Sequence, residues 1–134
     1  MKKNVFMVMM AMLVMAGCRQ TKGLDALQGE WNVVSIEAMS VPDSVGAFMG
    51  FDVAEKSVYG NAGCNALLGM LPDGVSGDSP LFGALGSTRR MCADMAVETA
   101  LLDALGKVYA FSIEGDMLYL LDANDKVMVV LKKR

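Results

Sequence analysis

Gly60-Asn61-Ala62-Gly63-Cys64-Asn65 is the stretch around which the rest of this sequence is organised. Its two glycines flank the cysteine, which suits a backbone that adopts positive φ or passes close to a neighbouring chain. Asn65 tolerates a left-handed conformation and can hydrogen-bond locally, so the stretch predicts a structured turn. A second cysteine, Cys92, follows Thr88-Arg89-Arg90-Met91 further along the chain.

A disulfide between Cys64 and Cys92 is one interpretation of this pair, and two separate buried thiols are the alternative. Such a bridge closes a loop of roughly 30 residues, which the chain-entropy model values at about 3 to 4 kcal/mol. Disulfides persist in exported proteins, so the bridge is favoured if the chain leaves the cytoplasm.

The first residues of the chain predict export and lipid attachment. Lys2 and Lys3 precede an apolar run over residues 5–14, which is too short for a spanning helix of about 20 residues. The segment ends on Ala16-Gly17-Cys18, which resembles a bacterial lipobox in which Cys18 is acylated after cleavage. Met15 stands where Leu or Val is common. A plain secretory signal and a buried helix of the fold are the alternatives.

These features predict three segments: a lipoprotein signal peptide over residues 1–17, a lipidated tether over 18–23, and one domain over 24–134. About 110 residues suffice for one hydrophobic core. Arg19 follows the lipid site, in place of the Asp associated with inner-membrane retention in enterobacterial lipoproteins. By that resemblance we expect an outer-membrane location facing the periplasm, with the lipid anchor as the membrane contact.

The charge of the mature chain argues against nucleic acid as a partner. Without Lys2 and Lys3, 10 basic residues remain against 15 acidic ones, a formal balance of −5. Nucleic-acid binding depends on Lys and Arg that neutralise phosphates. The basic end, residues 132–134, is expected to be solvated, and contact with acidic lipid head groups is the alternative.

The pattern of apolar and turn residues predicts an α+β fold that is mostly antiparallel β, with one helix packed on the sheet. Asp94 as N-cap and Gly106 as the end delimit a helix whose apolar stripe recurs every three and four residues. One helical turn is predicted over 24–29. Strands are predicted over residues 30–39, 47–53, 57–59, 66–71, 80–85, 109–113, 117–121 and 126–131.

From Gly29 to the end, the order of these signals resembles the META domain family, whose bacterial members include heat-inducible outer-membrane lipoproteins. The residues that carry the resemblance are Gly29, Trp31, Gly60, Gly63, Cys64, Asn65, Gly69, Thr88, Arg89, Cys92 and Glu98. The chain departs from the family at Arg90-Met91, where members often have Met-Ala, but the cysteine spacing is intact. The resemblance implies a cracked-barrel-like sheet of about seven to eight strands, related to secretin pilot lipoproteins. It also implies links to envelope stress without an established shared activity.

The side chains available for chemistry are few. The chain has no histidine, which excludes Ser-His-Asp and Cys-His catalysis and leaves no imidazole for zinc. Residues 60–69 lack the lysine and the spacing of a phosphate loop. We therefore expect no catalytic residue, no metal and no cofactor.

Two residues have a structural and a functional interpretation. Glu98 is expected to pair with Arg89 or Arg90, and a catalytic or ligand-binding role is the alternative. Trp31 is expected to anchor the core, and a platform for a ligand is the alternative.

Three classes of function follow from these observations. The first is a non-enzymatic, stress-related accessory or binding module of the envelope, with an envelope protein as partner. The second is a lipocalin-like or pilot-like carrier of an apolar ligand or acyl chain. The third, an enzyme, would need a positioned carboxylate pair that the sequence does not offer.

Overall fold

The computed structural model describes residues 23–75, 78–83 and 85–134. Within these ranges there are nine strands, one α-helix and two 3-10 turns, at Leu24–Leu27 and Asp43–Val45. The elements are β1 (Gly29–Ile36), β2 (Met39–Ser40), β3 (Phe48–Asp52), β4 (Ser57–Asn61), β5 (Ala66–Met70), β6 (Gly86–Ser87), α1 (Ala96–Leu105), β7 (Ala110–Glu114), β8 (Met117–Leu121) and β9 (Val127–Lys133). Cys18 and the predicted signal peptide lie outside the described residues, as does all of the predicted tether except Gly23.

The strands form one antiparallel sheet in the order β6-β5-β4-β3-β1-β9-β8-β7, and β2 pairs with β1. The two ends of this order do not pair, so the sheet does not close into a barrel. The predicted fold class, a mostly antiparallel sheet with one helix, is confirmed. None of the helices in the described ranges is long and apolar enough to cross a lipid bilayer.

β1 lies in the middle of the sheet and supplies the largest core side chain. Trp31 is buried, and its indole N–H donates to the backbone carbonyl of Leu27 over 2.8 Å. A β-bulge between Val33 and Ser35 shifts the alternation so that Ile36 also faces the core. This bulge explains why the apolar pattern of the strand is irregular, and the interpretation of Trp31 as a core anchor is confirmed.

The strand predicted over residues 80–85 is wrong, because only Gly86–Ser87 pairs with β5. Leu81 and Phe82 are consecutive and both buried, although neither belongs to a strand. The Phe82 ring stacks on Phe51 at 6.1 Å between centroids. This segment therefore fills the core instead of extending the sheet.

The helix α1 packs its apolar face on β1 and β9, as the spacing predicts. The N-cap position is Met95 and not Asp94, although the Asp94 carboxylate still accepts the Ala96 N–H at 2.9 Å. The helix ends at Gly106. The buried residues of α1 recur at intervals of three and four: Glu98, Leu101, Ala104 and Leu105.

Candidate functional site

The turn between β4 and β5 forms the centre of the site. Gly60 and Gly63 have φ angles of +152° and +125°, as the sequence predicts for these positions. The Asn61 side chain accepts the Gly63 N–H at 2.9 Å and fixes the turn from within. As a result, the N–H groups of Cys64 and Asn65 both reach the first turn of α1, where they meet a carboxylate.

That carboxylate belongs to Glu98, which is only 4% exposed. One of its oxygens accepts the N–H groups of Cys64 at 3.2 Å and of Asn65 at 2.6 Å. The other accepts the side-chain amide of Asn65 at 2.6 Å. The predicted ion pair with Arg89 or Arg90 is therefore wrong, since neither arginine forms an ion pair with Glu98.

The position of Glu98 on α1 explains the difference. It precedes Leu101 by three residues, so its side chain projects toward the protein interior, whereas both arginines are exposed. Burial raises the pKa of Glu98, but hydrogen bonds from the Asn65 side chain and from the Asn65 and Cys64 N–H groups outweigh burial. The net pKa of Glu98 lies below its ordinary value, so the group is ionised at neutral pH.

Asn65 extends the network to the segment before the helix. Its side-chain oxygen accepts the Thr88 hydroxyl at 2.9 Å and the Arg90 N–H at 2.6 Å. Its amide nitrogen donates to the Arg90 carbonyl at 3.0 Å. We call this network the Asn65 hub; it consists of Asn65, Glu98, Thr88 and the backbone of Cys64 and Arg90. The hub joins three separate parts of the chain.

A disulfide joins two of the same segments covalently. Cys64 and Cys92 are bonded, with Cα atoms 6.1 Å apart and a sequence separation of 28, so the predicted bridge is confirmed. Cys64 is half-buried, while Cys92 is exposed. The disulfide and the Asn65 hub together hold residues 88–92 against the β4–β5 turn.

We expect removal of the disulfide to lower the free energy of unfolding by about 3 to 4 kcal/mol, because the unfolded chain regains the closed loop's entropy. The Asn65 hub remains in the folded state and keeps that state intact. Urea denaturation of a Cys64→Ser, Cys92→Ser double variant measures the loss, with Cys18→Ser as the control for cysteine removal. A thiol assay that finds Cys64 and Cys92 free in unreduced protein would contradict the bridge.

Residues 89–91, which we call the Arg89–Met91 loop, are held by the Asn65 hub and the disulfide but point outward. Arg89 and Arg90 are exposed and form no ion pair within the part of the chain that the structure describes. Met91 is 88% exposed. The sequence prediction used these arginines to neutralise Glu98 and therefore missed that they are available on the surface.

The other motif residues lie apart from the hub. Gly29 adopts a φ of +115° next to Lys133. Gly69 lies against the Leu85 side chain, and a Cβ atom at position 69 would overlap that side chain. Trp31 belongs to the core. The structure thus divides the motif residues into two groups. One group forms the Asn65 hub and the disulfide, and the other group occupies packing positions elsewhere in the domain. Within residues 23–75, 78–83 and 85–134, no group of three or more His, Cys, Asp or Glu residues could hold a metal ion.

Comparison with known proteins agrees with this architecture. A family model described as META domain matches residues 24–134. An NMR structure of a protein from Burkholderia xenovorans is similar, with a TM-score of 0.58 and 20% identity, over 82% of this chain and 85% of that one. A crystal structure of a DUF4847 family protein from Bacteroides vulgatus has a TM-score of 0.56 and 13% identity, over 81% and 94% of the two chains. At these identities the two structures show the fold alone. No curated protein matches the chain.

Proposed function

This chain belongs to the META domain family, and from that premise we propose that it is a non-enzymatic, stress-related accessory module of the bacterial envelope. In this proposal, lipid at Cys18 anchors the domain to the outer membrane with its face toward the periplasm. The domain binds an envelope protein through the Arg89–Met91 loop. The family supports a small bacterial domain, and the site described above supports the binding role.

The observation that carries the proposal is that the most elaborate polar site of the domain is saturated by its own chain. Glu98 accepts three hydrogen bonds, and both ends of the Asn65 amide are engaged. Across the described residues, no buried side-chain nitrogen or oxygen lacks a partner. The network is therefore suited to hold the Arg89–Met91 loop in one conformation, and such preorganisation favours binding.

The charge of the loop differs from that of the domain. Of the 12 basic residues, Lys2, Lys3, Arg19 and Lys22 precede the domain, which leaves 8 against all 15 acidic residues. Four of those eight form ion pairs: Lys56 with Asp73, Lys107 with Asp103, Lys126 with Glu37, and Arg134 with Glu30. Arg89 and Arg90 form no ion pair with any residue that the structure describes, and they lie beside the exposed Met91. Such a loop complements an acidic partner segment that also offers an apolar contact.

The packed interior favours this proposal over a carrier of apolar ligands. Phe82 comes from the loop before β6 and stacks on Phe51, and both side chains belong to the buried core beside the sheet. A carrier would need that space for an acyl chain. Native mass spectrometry distinguishes the two, because co-purified lipid in the interior would favour a carrier and a clean protein mass the accessory module.

We expect Cys18→Ser to release the protein from the membrane fraction without unfolding it, because Cys18 precedes the family match over residues 24–134 and supplies the proposed anchor. Fractionation of cell envelopes, followed by circular dichroism of the released protein, measures both effects. The full chain with Cys18 intact is the control. A variant that stays in the membrane fraction would contradict the lipid anchor.

We expect charge reversal in the loop, Arg89→Glu with Arg90→Glu, to reduce partner binding by about tenfold or more, since the loop charges then repel an acidic surface. A photo-crosslinking amino acid at position 91 measures the yield of protein adduct in intact envelopes. Lys132→Glu is the matched control, because Lys132 is also exposed and forms no ion pair among the described residues. Equal loss of adduct in the control and in the loop variant would contradict a specific role for the loop.

A further inference from the structure

Three exposed apolar side chains are concentrated in β5 and in the turn that follows it. Leu68, Met70 and Val75 are 57%, 67% and 42% exposed. Leu68 and Met70 lie on the same face of β5, because they are two residues apart on a strand. β6 covers β5 only at Leu67 and Leu68, so among the residues that the structure describes no strand covers the outer edge of β5 near Met70. The chain thus leaves an apolar surface at one end of the sheet.

The N-terminal segment enters the domain at this same end. A cleft of about 540 Å³ is lined by Gly23 and Leu24 on one side and by Leu71 and Val75 on the other. Lys56, from the turn between β3 and β4, also lines it and pairs with Asp73. The first described residue, Gly23, therefore lines the same cleft as Val75, one of the three exposed apolar side chains.

The length of the preceding segment limits how far this end can lie from the membrane. Cys18 and Gly23 are five residues apart, and such a segment spans at most about 18 Å when fully extended. A domain of this size has a radius of gyration of about 13 Å and is therefore on the order of 30 Å across. A lipid at Cys18 therefore keeps the exposed apolar side chains within reach of the bilayer. The opposite end of β5 lies one strand length further from the bilayer.

We propose that the surface formed by Leu68, Met70 and Val75, here called the apolar end, rests on the bilayer from which the domain is tethered. This inference depends on the lipid attachment at Cys18 proposed above. The tether holds the apolar end at a high effective concentration beside the membrane, so a small apolar contact suffices. The same orientation directs the Arg89–Met91 loop away from the membrane, since that loop is fixed to the opposite end of the β4–β5 hairpin.

The charged residues near the apolar end determine which lipid head groups it contacts. Asp25 and Asp73 line the cleft together with Val75, and Lys56, which also lines it, is paired with Asp73. Carboxylates disfavour a surface rich in anionic lipid, because like charges repel within a Debye length. The contact is therefore apolar insertion between zwitterionic head groups, of the phosphatidylethanolamine type.

Site-specific photo-crosslinking in the full lipidated chain tests this orientation. A benzophenone amino acid replaces Met70 in one variant and Met91 in the other, and both sites are highly exposed, so neither change disturbs the core. After illumination of envelope membranes, mass spectrometry measures the yield of phospholipid adduct. We expect at least about fivefold more phospholipid adduct at position 70 than at position 91. We also expect the adduct yield at position 70 to be higher in phosphatidylethanolamine vesicles than in vesicles rich in phosphatidylglycerol.

The outcomes separate this inference from the proposed anchor. A protein that sediments with membranes, yet gives equal phospholipid adduct at both positions, overturns the docking of the apolar end and leaves the anchor intact. A protein adduct in place of phospholipid at position 70 also overturns it, by assigning the surface to a partner. A chain absent from the membrane fraction overturns both proposals.

Discussion

Replacing Glu98 with alanine is expected to lower the free energy of unfolding by about 3 to 5 kcal/mol, because three donors lose their acceptor inside the protein. These donors are the N–H groups of Cys64 and Asn65 and the Asn65 side-chain amide. Water does not replace the lost carboxylate easily at a site where Glu98 is only 4% exposed. Urea denaturation at neutral pH measures the change.

Glu98→Gln is the matched control, because it keeps the shape and one acceptor oxygen. Its amide oxygen can still accept from Cys64 and Asn65, but its NH₂ group faces the Asn65 amide, so two donors oppose each other. Asn65 cannot turn its oxygen toward position 98 without losing its bonds from Thr88 and Arg90. We therefore expect a cost of about 1 to 3 kcal/mol. A cost for Glu98→Ala that is no larger than for an exposed substitution would contradict the hub's structural role.

The pH dependence of stability follows from the same contacts. The pKa of Glu98 in the folded protein lies below its ordinary value, despite burial, owing to the three hydrogen bonds. The stabilisation by ionised Glu98 is present above the pKa of the unfolded chain and is lost as pH falls through the folded pKa. The difference in stability between the natural chain and Glu98→Gln should therefore keep its full size above the ordinary glutamate pKa of 4.5 and shrink as the pH falls below it. A constant difference would show that Glu98 does not contribute as an anion.

The strands with clear turns on both sides could be predicted from the sequence, and a segment that lacks alternation could not. Met117–Leu121 has the predicted bounds, because Glu114-Gly115-Asp116 marks one side and an acidic turn marks the other. From the sequence alone, the apolar pair Leu81 and Phe82 is equally consistent with a strand and with a loop whose side chains pack into the core. Only the folded chain shows that Phe82 reaches Phe51.

The sequence predicted individual features of the site but not the hydrogen bonds that join them. The positive φ angles at Gly60 and Gly63 and the disulfide followed from local chemistry. The partner of Glu98 did not, because Asn65 lies 33 residues earlier. One signal was present: Glu98 is three residues before Leu101 and seven before Leu105, which places a carboxylate on the buried stripe of α1. A buried carboxylate needs hydrogen-bond donors that are also close to the core, and the exposed arginines do not supply them.

Gly60→Ala is expected to destabilise the domain by about 3 kcal/mol or more, because two independent features of position 60 exclude a side chain. Its φ of +152° lies where L residues are strained, and a Cβ there would overlap the backbone carbonyl oxygen of Phe48 on β3. Since Gly60 pairs with Met49 in the ladder, the overlap can be relieved only if β3 and β4 separate. Such a separation would also move the turn that carries the Asn65 hub. Thermal and urea denaturation measure the loss.

Two other glycines provide matched controls for this prediction. A Cβ at Gly50 would overlap the ring of Tyr59, which is a side chain and can rotate outward. Gly50→Ala should then cost about 1 to 2 kcal/mol, since it loses the Tyr59 hydroxyl bond to Glu30. Gly83 has open space around its Cβ position and no positive φ, so Gly83→Ala should change stability by about 0.5 kcal/mol at most. If Gly60→Ala loses no more stability than Gly83→Ala, the prediction is contradicted. The paired strands β3 and β4 would then adapt to a side chain at position 60, and the close approach to Phe48 would not hold the turn in place.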